Sequence, residues 1–371
     1  MNMHTRVHRG IGGLNSLRSQ WVALHGFCDL WARFEWYYAY LTNLVVDRES
    51  VYFIQILAGD ETVAIIPAEV VKQNLKPFGN LKVLCLAFHS HIAITDFPLD
   101  PRVDPASVAE QLLKTLRNIP ECWDLIRWPR IMHSSNALLI SRALRGHSIH
   151  IRPAEPCNTI DTNKSFQDLA SNFSNQLQRR LKKSRRLLSE IANLCVATAR
   201  SAEDSGASYE EFLRIEASGW KGDSGTASAI LLNKAPRGFY AALLDQKNTD
   251  FLPEIYLLES GLQSIAVQFS IGTRGCKHVL KIGYEESYSK MSPGQILMED
   301  VLMSACRTTS TERVSLVSNQ PWHQQWQPKP EDTFDVMIFR NRLHGVIFGW
   351  CIALRKLAKS FVKKVKSTPT N

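Results

Sequence analysis

Between Leu252 and Ile282 the chain carries three apolar runs, Leu252 to Leu258, Ser264 to Ile271 and Lys277 to Ile282, the first two joined near Ser260-Gly261. Apolar runs of this length punctuated by turn residues predict a three-stranded meander. Behind it, Ser292-Pro293-Gly294-Gln295 places Ser at an N-cap, Pro at the first helical position and Gln three residues past the cap, ahead of Ile296, Leu297, Val301 and Leu302. That pattern predicts a helix start. A meander feeding a helix, then further strands at Arg313 to Val317 and Phe334 to Phe339 around a loop with Trp322 and Trp326, restricts the second half to an α/β arrangement.

The first half reads in the same style. Aromatic helices fill residues 13 to 44, and a hairpin turns at Gly59-Asp60 between Val51 to Leu57 and Thr62 to Pro67. Strands at Lys82 to Phe88 and Cys122 to Trp128 alternate with helices at Ala106 to Arg117 and Ser135 to Leu144. With 371 residues, two domains of ordinary size are expected. The boundaries fall at 1–160 and 161–340, with a basic tail over 341–371. From Ser165, whose spacing to Asp168 is that of a capping box, one long amphipathic helix is expected through Phe166, Leu169, Phe173, Leu177, Leu181, Ser184 and Leu188. A strand at Asn193 to Thr198 and a helix opening at Ser208, with Glu211 as its capping partner, follow.

Composition narrows the class of function. The net charge of +9 resides mostly in 341–371, which holds seven cationic residues and no acid, so the body is nearly neutral. A global nucleic-acid field is excluded, and a local cluster at Arg179, Arg180, Lys182, Lys183, Arg185 and Arg186 is the second basic feature. The eight cysteines lack CxxC pairs, as expected of free thiols in the cytoplasm. No apolar segment follows the basic N-terminus, so a secretory signal is not expected. His89, His91, His147 and His150 have no carboxylate at metal-site spacing, and no metal is expected.

Four segments carry possible chemistry. The unpaired amides and positive dipole end of the Ser292 helix suit a phosphate, and Gly294 permits close approach; a well-capped helix that binds nothing has the same sequence. Glu216 shares a helix face with Phe212, Leu213 and Trp220, where partial burial would tune it as a general base; the competing reading is a carboxylate satisfied by the backbone or by Lys221. Gly222-Asp223-Ser224-Gly225 spells a serine-protease motif without the rest of that site, and reads as a loop. Lys281, Gly283 and Tyr284 end a strand facing the Ser292 helix, where Lys281 or Tyr284 is placed to protonate a leaving thiolate.

Trp220-Lys221-Gly222 with Gly225, Phe239-Tyr240, Ile265-Ala266, Lys281-Gly283-Tyr284 and Ser292-Pro293-Gly294 occur in the order found in GNAT acyltransferases of the CelD/BcsL-like kind, which are associated with cellulose and exopolysaccharide biosynthesis and distantly related to FemABX transferases. The chain resembles this family most sharply over about residues 165 to 340. The resemblance implies an α/β fold of two tandem GNAT-like domains, with mixed central sheets flanked by helices and the active site in the second domain or the intervening cleft. It implies transfer from an acyl-CoA, acetyl or longer, to an amine on a sugar or amino-acid derivative. Under this reading Ser292, Pro293, Gly294 and Gln295 hold the donor, Glu216, Tyr284 and Lys281 are catalytic, and Trp220, Lys221, Arg179 and Arg180 contact substrate. The family's usual pyrophosphate loop is absent. A FemABX-like transferase using aminoacyl-tRNA and a non-catalytic accessory protein of polysaccharide assembly are the alternatives; RNA is the less favoured partner because no aromatics interleave the basic cluster.

Leu343 to Leu354 is apolar but too short to span a bilayer, for which about 20 residues are needed. With the cations that follow, beside Leu357, Phe361 and Val365, it reads as an amphipathic helix on the anionic inner face of the plasma membrane; docking on the protein body is the alternative.

Overall fold

A computed structural model describes residues 3–354 apart from Phe88, 120–122, 145–147, Ser201, Trp220, Asp223, Ser224, Lys247, Thr249 and Ile352. The strands are β1 (Met3–Arg9), β2 (Val51–Ala58), β3 (Glu61–Leu75), β4 (Gly79–Cys85), β5 (Leu125–Met132), β6 (Ser148–Pro153) and β7 (Cys157–Asp161). They continue as β8 (Leu194–Ala199), β9 (Leu252–Ser260), β10 (Gln263–Thr273), β11 (Gly275–Tyr284), β12 (Thr311–Ser315), β13 (Lys329–Glu331) and β14 (Thr333–Phe339). The helices are α1 (Gly10–Ser16), α2 (Arg18–Ala23), α3 (Phe34–Asn43), α4 (Pro105–Leu116) and α5 (Asn136–Ala143). They are followed by α6 (Phe166–Ser171), α7 (Asn175–Ile191), α8 (Ala202–Glu216), α9 (Lys234–Asp245) and α10 (Pro293–Arg307).

Two seven-stranded sheets result, ordered β1-β2-β3-β4-β5-β14-β6 and β13-β7-β12-β11-β10-β9-β8. The fold is α/β with two tandem GNAT-like units. Each sheet runs through four antiparallel strands, one parallel joint (β4 with β5, β11 with β12) and three further strands antiparallel to one another. The units are therefore structural repeats, and they exchange strands. β7 leaves the first unit to sit beside β12, whereas β14 returns from the second to lie between β5 and β6. Strands thus cross the expected boundaries at 160 and 340: Cys157–Asp161 belongs to the second sheet and Thr333–Phe339 to the first. An apolar strand buried on both faces fits either sheet, so its pattern does not name its partner.

Two helices also differ from expectation. The helix expected from Ser165 breaks into α6 and α7, because Ser174 caps afresh by accepting from Leu177 N. The leucine spacing runs through the break and conceals it. α8 begins at Ala202 rather than at Ser208. The seven described cysteines are free; Cys122 lies outside the described residues.

One hydrophobic core joins the units, running from Trp21, Trp31, Trp36 and Tyr40 to Phe212, Phe239, Tyr240 and Phe269. Trp36 meets Phe239 edge to face at 5.2 Å. Such aromatic pairs contribute roughly 0.5–1.5 kcal/mol beyond the area they bury, so the seam is a packed interior that holds the cleft between the units in one geometry.

Candidate active site

The parallel pairing of β11 with β12 ends at His278 and Ser315, but β11 continues to Tyr284, still paired to β10 on its other edge. Past Ser315 the chain turns toward β7, where Leu316 N donates to Asn158 O at 2.8 Å. The edge of β11 beyond His278 is thereby left without β12, and a cavity of about 530 Å³ opens there. Glu216, Lys221, Lys281 and Tyr284 line one side, and Ser318, Gln320, Trp322 and His323 the other. An unpaired strand edge in a cleft presents backbone donors and acceptors to an extended ligand.

Gly283 fixes the near wall. A Cβ at this position would stand 3.0 Å from Glu216 Cα, so only glycine lets β11 press against the end of α8. Gly222 is constrained as tightly, since its Cβ would meet Ala217 O at 2.3 Å. The loop between α8 and α9 is consequently folded tightly on itself and held by Glu216. One carboxylate oxygen of Glu216 accepts from Lys221 Nζ and the other from Ile230 N, both at 2.9 Å. The carboxylate is 5% exposed with both oxygens engaged, the geometry of a strut between helix and loop.

Lys281 is placed differently. Burial, reinforced by the positive charge of Lys221 and opposed by Glu216, pushes its pKa down to about 8. Near neutral pH a minor fraction is therefore a free amine, the form able to accept a proton, and that fraction grows steeply toward pH 8. Its Nζ stands 5.9 Å from the Tyr240 ring. The Tyr240 hydroxyl lies 3.3 Å from His91 Nδ1, on the other unit. Burial, then the charges of Lys281, His89 and Lys221, hold His91 down to about 3, so its imidazole is neutral in the working range. His91 and Tyr240 thus form a polar contact across the seam, close to Lys281.

Tyr284 forms the rim. The position a Gly294 Cβ would occupy lies 3.7 Å from the Tyr284 ring, which sets the start of α10 next to the cavity without making it part of the lining. The cap differs from expectation. Ser292 sits at the N-cap in the left-handed region, φ 48°, and its side chain makes no capping hydrogen bond. In the first unit the equivalent helix α4 is capped by Asp104, which accepts from Ala106 N and Ser107 N. A carboxylate already occupies that end and would repel a phosphate, whereas the α10 end carries no acid in its first turn.

The structure therefore brings Glu216, Lys221, Lys281 and Tyr284 into one cavity, with Ser292, Pro293, Gly294 and Gln295 beside it. Trp220 lies outside the described residues. Arg179 and Arg180 lie on α7, outside the lining; α7 packs on the turn Glu286–Met291 that leads into α10. Arg185 is committed elsewhere, to Glu299 and Asp300 at 2.7 and 2.6 Å. Sequence reasoning missed the far wall. His323, 1% exposed, accepts from Gln320 N and packs beside Trp322; the spacing of Gln320 and His323 around Pro321 was the available signal for this cap.

The second unit matches the acetyltransferase (GNAT) domain family. The match spans residues 175–323, from the start of α7 to the far wall of the cavity. No curated protein matches the chain by sequence. Among solved structures, FemX superposes with a TM-score of 0.56 at 12% identity, over 86% of this chain and 95% of that one. The C-terminal domain of a candidate lysylphosphatidylglycerol synthetase from Agrobacterium fabrum gives 0.55 at 8% identity, over 92% and 97%. L-PGS from Bacillus licheniformis gives 0.51 at 11%, over 82% and 89%. At these identities the likeness is one of fold, and it extends over both units, not the GNAT domain alone.

Proposed function

We propose that the chain is an N-acyltransferase that moves an acyl group from an acyl-CoA thioester to an amine, with Lys281 as the proton carrier. The observation that carries this reading is the juxtaposition of an uncovered β11 edge with a lysine of lowered pKa. The donor's amide-bearing arm extends along β11, its phosphates lie at the start of α10, and the basic face of α7 with Arg179 and Arg180 adds charge nearby. An incoming ammonium gives its proton to neutral Lys281. The freed nitrogen lone pair forms the C–N bond, the tetrahedral adduct loses its second nitrogen proton to water and collapses, and the C–S bond breaks. The thiolate takes the proton back from Lys281, with Tyr284 at the rim as a further donor. Positioning and electrostatics supply the remaining acceleration, so no nucleophilic serine or cysteine is required. The open cavity argues for catalysis over an accessory role. Release of free CoA thiol in the presence of a panel of amino sugars and amino acids tests the proposal.

The tail adds a location. Residues 342–351 are helical, and Phe348 packs on Phe339 and His150 at 5.2 and 5.4 Å. The opposite stripe is bare: Leu343, Val346, Trp350 and Leu354 are 63, 52, 70 and 60% exposed. Their spacing puts them on one helix face, and five of the cations of 341–371 follow within Arg355 to Lys364, outside the described residues. Among the described residues no helix is long and apolar enough to cross a membrane. In this reading the stripe lies on an anionic bilayer surface and positions the enzyme for acceptors of the cell envelope, exopolysaccharide precursors among them.

A further inference from the structure

A second cavity, of about 350 Å³, lies at the seam between the units. It sits at the start of β11, roughly 20 Å along the strand from Lys281 at the usual rise per residue. Cys28, Asp29 and Asp96 reach it from the first unit, Arg274 and Arg313 from the second.

Three observations there concern cations. Arg274 occupies a turn of two residues between Thr273 and Cys276, with φ of 29° followed by Gly275 at 76°. Asn or Gly takes such a position without strain and arginine does not, and backbone strain of this kind collects at functional sites. Among the described residues the Arg274 guanidinium has no hydrogen-bond or ion-pair partner. Arg33, behind the cavity wall, is 1% exposed, and its Nε, Nη1 and Nη2 all lack a partner. It feels the charge of Arg274 in the lining, and those of Glu35 and Asp250 outside it. Arg313 interacts with Cys276 and Glu331 and has Asp29 at 3.9 Å, a carboxylate already held by His278 at 3.0 Å. A buried guanidinium with every donor idle is costly unless an acceptor reaches it.

We propose that this cavity binds a small oxyanion, a carboxylate or phosphate group, gripped by Arg274 and Arg313 and countered from behind by Arg33. The site is separate from the acyl-transfer cavity, and its occupancy links the two units across the seam.

Thermal unfolding of the full chain tests it, in anion-poor buffer titrated with inorganic phosphate, with malonate, or with chloride at matched ionic strength. A saturable rise in Tm with phosphate or malonate beyond that with chloride is expected; whichever is effective identifies the group. Arg274→Gly relieves the strained turn, so its anion-free Tm equals or exceeds the parent's while the anion response is lost. Arg33→Met loses the response as well; if that variant does not fold, Arg274→Gly decides alone, being on an exposed turn. No saturable response, or one that survives Arg274→Gly, overturns the proposal.

Discussion

Lys221 Nζ lies 2.9 Å from Glu216 Oε1, and this pair sets the charge that Lys281 experiences. Lys221 drives Lys281 toward its neutral form, and Glu216 opposes it. Glu216→Gln retains an acceptor for Ile230 N but removes the negative charge, so the pKa of Lys281 falls further. The variant should stay active, with the acid limb of its pH–rate profile displaced to lower pH. If Glu216 were the base, the same variant would lose roughly two to four orders of magnitude in rate.

Gly283 should be intolerant of any side chain. Gly283→Val forces β11 away from Glu216 at a cost of about 1–3 kcal/mol, as overpacking does. Because Lys281 and Tyr284 flank this residue, kcat should fall by more than the stability loss explains. Chemical denaturation and steady-state kinetics on the same preparation make the comparison.

The basic face of α7 divides the donor classes. Charge reversal at Arg179 and Arg180 should raise KM for acyl-CoA several-fold with kcat nearly kept, since exposed contacts to phosphate act in binding. A gel-shift titration with bulk tRNA should show no binding that these changes abolish. Tight, salt-sensitive binding lost in the variant would support the aminoacyl-tRNA reading instead.

Much of this was legible in the sequence, and what was not has physical causes. The hairpin at Gly59, the meander and the start of α10 are local and rest on turn residues and alternation, so they were read correctly. The exchange of β7 and β14 is non-local: Phe334 to Phe339 satisfies a buried position in either sheet. Lys281 and Tyr284 were visible as the end of a strand facing a helix. The burial that lowers the pKa of Lys281 was not, because it arises from non-local packing near the seam, where Tyr240 meets His91 some 149 positions away. Likewise, Ser292 reads as an ordinary cap; its left-handed backbone, where the turn Glu286–Met291 meets α10 and the side chain makes no cap bond, was not visible in the sequence.

The exposed stripe at the tail predicts vesicle binding. The intact chain should co-sediment with vesicles containing phosphatidylglycerol, with a blue shift of tryptophan emission, and much less with phosphatidylcholine alone. Trp350→Asp with Leu354→Asp should abolish binding while the protein remains folded. Equal binding by that double variant would contradict the membrane reading, and a concentration-dependent dimer lost in the variant would assign the stripe to a second copy.

If Lys281 carries the proton, the pH dependence of kcat/KM for amine-dependent CoA release separates the parent from Lys281→Arg. The rate of the parent should rise with pH and level off above about 8, where the lysine is neutral. Arginine keeps the charge but cannot give it up, so Lys281→Arg should lose at least about 100-fold in kcat with KM little changed. A Lys281→Arg variant that retains the parental rate and profile would rule out this role for Lys281.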